Sequence, residues 1–369
     1  MAMDTTVERR VRVGSPALQT AYAKKASFYM SLVRRVLVAA LVLAFTAPAL
    51  AATQLTGAGS TFVYPFFSKA FYTYSQQHGD VTVNYQSIGS GGGIQQFSQK
   101  TVDFGASDVP MNADELQRAG SPVIQIPVAL GGESVVYNLP GIHKGLRFTR
   151  QLIVDIFIGK ITNWNDGTIA KLNPGTHLPN LPIIVVHRSD GSGTTYIFTD
   201  FLSRVSGDWK SKVGTGKSVS WPAQSSVGGK GNEGVAGQVG NTPGAIGYVE
   251  LAYALENHMD SAAIANRSGK YVNCSIETVR AAAATKPNIS ATDFSIVDSN
   301  GARSYPIAGY SWAMVYKSMP DRGRARLIHD VLSWVVGDQA QKLAGTLNYV
   351  PLPSNVQQTA QRSLKGMQI

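Results

Sequence analysis

Short apolar runs of different period alternate along the chain. Val81-Thr82-Val83-Asn84-Tyr85 alternates apolar and polar residues at a period of two, as a strand does. Pro182-Ile183-Ile184-Val185-Val186-His187 is almost continuously apolar, which predicts a strand buried on both faces. Ala245 to Val249 reads as another short strand. Helical stretches lie between these runs. Pro65 to Gln77 has a proline at its start and Gly79 past its end. Asn112-Ala113-Asp114-Glu115 has the spacing of a capping box and opens a short helix. Arg326 to Leu343 sets Leu327, Ile328, Val331, Leu332 and Val335 on one side of a single predicted helix. The stretch from Ser226 to Gly244 is rich in glycine and too long for a bare loop, so Asn232 to Ala236 is expected to hold a short helix. Strand-like runs interleaved with helices predict an α/β protein.

The first 51 residues depart from this pattern. Arg34 and Arg35 precede an apolar run from Val36 to Phe45, and Thr46-Ala47-Pro48 breaks it. Ala49-Leu50-Ala51 then matches the small-x-small cleavage pattern, so a cleavable export signal ending near Ala51 is expected. The apolar run falls short of the roughly 20 residues that a spanning helix needs. Residues 1–29 are polar and without pattern, and Met30 stands just ahead of the basic pair as a possible natural start.

Composition changes the picture in two places. The formal charge of the whole chain is +10, but residues 1–51 hold seven of the 33 Lys/Arg and two of the 23 Asp/Glu. The remainder therefore carries +5, compatible with an anionic ligand. No Lys/Arg cluster interleaved with aromatic residues occurs, so nucleic acid is not an expected partner. Cys274 is the single cysteine, so no intrachain disulfide can form and no lipid-attachment cysteine follows Ala51. A protein soluble in the periplasm and resting on its hydrophobic core is expected.

Three Gly/Ser/Thr segments carry the candidate chemistry. Thr56-Gly57-Ala58-Gly59-Ser60-Thr61-Phe62 leads into the helix from Pro65. Gly89-Ser90-Gly91-Gly92-Gly93 follows the Val81–Tyr85 strand. Arg188-Ser189-Asp190-Gly191-Ser192-Gly193-Thr194-Thr195 follows the strand ending at His187. A helix start leaves N–H groups unpaired and carries partial positive charge, and glycine lets the backbone approach a ligand. Each turn is a plausible oxyanion cradle, although each alone also reads as an ordinary N-cap. Nucleotide motifs fail: Gly214-Thr215-Gly216-Lys217-Ser218 has Ser211 where a P-loop needs its first glycine. Metal-ligand spacing is absent from the six scattered histidines, and Ser192 lacks a Gly-x-Ser-x-Gly frame because Asp190 holds the first position.

These segments, with Tyr85 to Gly92, Val102 to Asp108, Gly228 to Asn232, Pro243 to Glu250 and Ile158 to Trp164, resemble the phosphate-binding proteins of phosphate-specific ABC transporters. The likeness runs from about Gln54 to Pro353, with the motifs in family order. Val63-Tyr64 stands where many relatives have Pro-Ala, and Gly91 where serine is common. The resemblance implies a periplasmic binding protein fold of the type II kind: two α/β lobes joined by two crossover strands around a ligand cleft. Lobe one would span 52–132 and 304–369, and lobe two 133–303. It implies phosphate contacts from Thr61, Phe62, Ser90, Asp108, Arg188, Ser192, Gly193 and Thr194, with Asp190 pairing to Arg188 or capping the turn. It implies no catalysis, no metal and no cofactor. The expected partners are inorganic phosphate and the permease and ATPase subunits of an ABC importer, met by a monomer.

Phosphate near neutral pH keeps at least one O–H, and sulfate keeps none. A carboxylate can accept that hydrogen and repel an unprotonated dianion, and Asp108 is the candidate. The planar fork of Arg188 suits phosphate oxygens. His187 and Trp164 are expected to pack, Trp164 and Trp221 in the core or at the cleft edge. The competing readings are an exported phosphatase-like hydrolase and a receptor of the same fold for another oxyanion.

Overall fold

The computed structural model describes residues 16–44, 52–143 and 145–369. The chain forms two units, residues 1–51 and 52–369. In the first, a helix runs from Pro16 to Ala44 and takes in Arg34 and Arg35, starting well before the apolar run. No helix among the described residues is long and apolar enough to cross a membrane. The predicted cleavage site, Ala49-Leu50-Ala51, lies outside the described residues.

The second unit is built on a nine-stranded sheet with helices packed on it, and Arg147–Phe148, Ala263–Ala265 and Tyr271–Val272 form a separate three-stranded sheet. Strand Thr53–Gly59 lies parallel between Val81–Ser87 and Phe104–Ser107. Ala308–Tyr316 follows, antiparallel to Phe104–Ser107. The 15-residue strand Val123–Tyr137 joins the sheet's two ends. Its first part pairs antiparallel with Ala308–Tyr316, and its last residues pair with Ala245–Glu250. Ile184–Arg188 and then Ser226–Gly229 complete the far end, parallel to Ala245–Glu250. All residues of Ala245–Glu250 and Ala308–Tyr316 are buried, as for strands covered on both faces.

The predicted strands appear within about two residues of their expected limits. Pro65 to Gln77 is a helix from Tyr64 to Gln77, and Asn112 closes a complete capping box on Ala113–Ala119. The glycine-rich stretch resolves into strand Ser226–Gly229 and helix Gly231–Asn241. One helix differs: Arg326 to Leu343 is split into Arg322–Val335 and Asp338–Thr346. Gly337 adopts an extended backbone (ψ 164°) between them and caps the second helix, which turns the chain at that point. The run Gly91 to Gly93 lies inside helix Ser90–Ser98 rather than ahead of it. A Cβ on Gly93 would come within 2.3 Å of the Gly59 Cα, so this glycine lets the helix lie against the first strand.

Aromatic rings fill the core at both ends of the sheet. Phe67 packs on Phe71 and Tyr85 with centroids 4.7 and 5.1 Å apart. At the other end Phe198 stacks on Tyr248 at 4.2 Å and meets Phe157 at 4.7 Å. Trp164 is fully buried and donates to the Gly244 carbonyl at 2.8 Å, while His187 stacks on Trp221 at 5.0 Å. These three residues pack as the sequence predicts.

Away from the core, Asp103 ties the first strand to the helix Arg322–Val335. Its Oδ2 accepts from the Thr56 N–H at 2.6 Å and from Arg324 Nη2 at 2.7 Å, and Arg324 Nε donates to Oδ1. Removing the carboxylate would strand a backbone donor and a guanidinium. Asp103→Ala is expected to lower stability by about 2 kcal/mol. Urea unfolding would show a lower midpoint at an unchanged slope; an unchanged midpoint would mean that the tie contributes nothing.

Candidate functional site

The parallel strands at both ends of the sheet send their carboxyl ends toward one crevice, where open α/β sheets hold their ligands. Thr53–Gly59 delivers Ser60, Thr61 and Phe62. Val81–Ser87 delivers Gly89 and Ser90, and Phe104–Ser107 delivers Asp108. From the other end Ile184–Arg188 supplies Arg188 and the turn to Gly193, and Ser226–Gly229 supplies the turn to Asn232.

Asp108 lies at the centre, 2% exposed. Its Oδ1 accepts hydrogens from the Ser60 hydroxyl and from the Ser311 hydroxyl, the latter at 2.7 Å. Its Oδ2 is reached by the Ser90 hydroxyl only at 3.5 Å and keeps acceptor capacity. Burial pushes the carboxyl up from 3.8 to about 6, against the Ser311 and Ser60 hydroxyls, the Arg188 charge and the Ser90 hydroxyl, which pull it down.

The Arg188 side chain is buried and held in a fork by Asp190, with Nε to Oδ1 at 2.8 Å and Nη2 to Oδ2 at 2.5 Å. Its Nη1 donates to the Thr194 hydroxyl at 3.1 Å. Burial opposes the charge on Asp190, but the Arg188 hydrogen bonds and charge and the Gly231 N–H outweigh it and hold the carboxyl below its ordinary value. Asp190 therefore orients Arg188 and also accepts the Gly231 N–H at 3.0 Å. The Ser192 hydroxyl caps the helix Gly193–Val205 by accepting from the Thr195 N–H at 3.0 Å.

The two ends of the sheet meet directly. The Gly91 N–H donates to the Gly191 carbonyl at 2.8 Å, and the Gly193 N–H to the Ser90 hydroxyl at 3.0 Å. A Cβ on Gly193 would fall 2.6 Å from the Asp108 Cβ, so this position must be glycine for the approach to occur. Thr61 Oγ1 accepts from the backbone and side chain of Asn232 at 3.1 and 2.9 Å, and Asn232 Nδ2 also reaches Thr194 Oγ1 at 3.3 Å. Phe62 is buried, with its carbonyl accepting from the Tyr349 hydroxyl at 2.5 Å. Thr61, Ser90, Asp108, Arg188, Asp190, Ser192, Gly193 and Thr194 thus share one crevice, and Phe62 adjoins it through the Thr61 peptide.

Three polar contributors escape the sequence reading. Ser60 lies beside Thr61 in the first motif, and Asn232 ends the Gly228 to Asn232 motif, from which no contact residue is picked out. Ser311 lies far along the chain; its signal is a serine inside an apolar run, which burial obliges to find a partner. The sheet is irregular between Ser311 and Trp312, at the point where Ser311 turns to Asp108. Two further acids lie nearby. Glu133 and Glu250 face each other across the antiparallel pairing and are fully buried. Both carboxyl oxygens of Glu133 lack a hydrogen-bond partner, and Glu250 Oε2 accepts from the Ala252 N–H at 2.7 Å. Burial raises both well above the usual carboxylate range; the Asp108 charge adds to the effect on each.

A family model described as a PBP superfamily domain matches residues 46–339. The phosphate-binding protein PstS of Xylella fastidiosa is 47% identical over 306 residues, covering 82% of this chain and 82% of that protein. The chain belongs to the PstS phosphate-binding protein family. PstS of Pasteurella multocida is 46% identical over 317 residues, covering 85% of this chain and 90% of its own. Among solved structures, a high-affinity periplasmic phosphate-binding protein bound with phosphate (PfluDING) superposes with a TM-score of 0.70, covering 84% of this chain and 93% of that one. At 20% identity this likeness shows the fold, and the periplasmic binding protein architecture expected from the PstS motifs is the one observed.

The raised Asp108 carboxyl has a measurable consequence. Folded Asp108 keeps its proton to about pH 6, whereas an unfolded aspartate releases it near 3.8. Folding therefore takes up a proton between these values, and Asp108 lowers stability as pH rises from about 4 to about 6. In ligand-free protein, Asp108→Asn is expected to gain about 2–3 kcal/mol relative to wild type between pH 4 and pH 7. Urea titrations at both pH values would read the gain, and a constant difference would show that the native carboxyl titrates normally.

Proposed function

We propose that this protein binds inorganic phosphate in the crevice and hands it to the permease and ATPase subunits of an ABC importer. One observation carries the reading. Asp108 has one oxygen taken by two serine hydroxyls and the other beside Gly193, with only the Ser90 hydroxyl near it, at 3.5 Å. Hydroxyls, N–H groups and Arg188 grip an oxyanion, and Asp108 Oδ2 accepts the hydrogen that phosphate has and sulfate lacks. The contacts are those of Thr61, Phe62, Ser90, Asp108, Arg188, Ser192, Gly193 and Thr194, with Ser60, Ser311 and Asn232 arranging them. The names of the relatives, and the phosphate bound in the PfluDING structure, support the same ligand.

The wider proposal assigns residues 52–132 and 304–369 to one lobe and 133–303 to the other, closing on the ligand by a hinge through their connecting strands. The Gly91–Gly191 and Ser90–Gly193 contacts support a closed state. The protein would act in the periplasm as a monomer, exported by a signal ending near Ala51, with no metal or cofactor. The relatives are named as binding proteins, which weighs against the hydrolase reading.

Calorimetry with phosphate and with sulfate tests the assignment. Wild type should bind phosphate and discriminate against sulfate, most strongly above about pH 6, where Asp108 is ionised. Below that pH the protonated acid can donate to sulfate, so discrimination should shrink. Asp108→Asn should erode selectivity more than phosphate affinity; selectivity equal to wild type at all pH values would remove Asp108 from the role. Arg188→Ala should weaken phosphate binding by about 2 kcal/mol or more, because a buried charge-assisted contact is lost. Wild-type affinity in that variant would exclude Arg188 as a ligand.

A further inference from the structure

Outside the anion crevice, among the described residues, one ion pair links the segments proposed as separate lobes. Lys217 Nζ lies 2.5 Å from Glu115 Oε1, and the two side chains are only 15% and 11% exposed. Glu115 belongs to the helix Ala113–Ala119, which begins just after Asp108. Lys217 lies in the Gly214-Thr215-Gly216-Lys217-Ser218 segment, whose likeness to a P-loop fails.

Neither partner is a loose surface side chain. The other oxygen of Glu115, Oε2, accepts from the Asn112 N–H at 2.9 Å, which fixes the rotamer of the acid within the capping box. The Lys217 carbonyl accepts the Ser192 N–H at 2.8 Å, so its backbone is joined to the turn proposed to hold phosphate. The preceding residue is also anchored, with the Gly216 N–H donating to Thr199 Oγ1 at 3.1 Å. An exposed pair usually loses much of its attraction to the entropy of holding two long side chains in place. Here the acid is already fixed, and the lysine projects from a backbone held at two points.

We infer that Lys217 and Glu115 form a latch across the mouth of the cleft, positioning residues that hold the closed state without touching the ligand. The inference rests on the phosphate-binding and two-lobe reading. Separating the lobes would leave Glu115 in its capping box and release Lys217 to water, so the pair exists only while the cleft is shut. Its attraction then enters the step in which phosphate leaves and is nearly absent from the encounter.

Release of radiolabelled inorganic phosphate into excess unlabelled phosphate tests the latch in wild type, Lys217→Met, Glu115→Gln and the double variant. Glu115→Gln keeps a side-chain acceptor for the capping box, and thermal melts report whether each variant is folded. Each single change is expected to speed release about 3–10-fold with little change in association, and the double variant should release no faster than the faster single one. Raising salt from about 50 to about 500 mM should speed release from wild type more than from the double variant. Single variants releasing at the wild-type rate, or a double variant whose effect is the product of the two, would overturn the latch. A wild type that takes up no phosphate would instead remove the binding reading beneath it.

Discussion

The site depends on a buried carboxyl that the protein half-satisfies with its own hydroxyls. Asp108 draws together the ends of three strands and the middle of a fourth, through Ser60, Ser90 and Ser311. Such a group is costly in a dry interior unless its lone pairs are used. The hydroxyls meet most of that cost on one oxygen and leave the other under-supplied. The geometry of Gly89, Ser90 and Gly193 follows from this arrangement. A side chain on Gly193 would collide with Asp108, and one on Gly89 would reach the Asp190 carboxylate.

Arg188 obeys the same rule with the opposite sign. The fork of Asp190 takes Nε and Nη2, and Thr194 takes Nη1. The guanidinium is thus aimed before any ligand arrives, and its rotamer entropy is already spent. Asn232 serves as a relay between the ends of the sheet, giving hydrogens to Thr61 and Thr194 while its Oδ1 accepts the Glu250 N–H at 2.9 Å.

Local chemistry made much of this legible from sequence. Alternation at Val81 to Tyr85, the apolar run before Arg188 and the capping box at Asn112 are each set by neighbours in the chain, and each falls where the pattern places it. The motif turns likewise hold Thr61, Ser90, Asp108 and Arg188 close together. What the pattern does not disclose is set by distant partners. Ser311 joins Asp108 across 203 positions, and its role depends on strand order. The break at Gly337 falls inside an apolar periodicity that continues on both sides of it, so period alone predicts one helix where the backbone makes two.

The facing pair Glu133 and Glu250 alters how charge should be counted in this protein. Formal charge treats every glutamate as a full negative unit, but burial away from water shifts both of these carboxyls well above the usual range, toward the neutral form. An incoming anion therefore meets an interior less negative than the residue tally implies. Arg188, in turn, faces weaker internal competition for that anion from acids that a simple count would set against it.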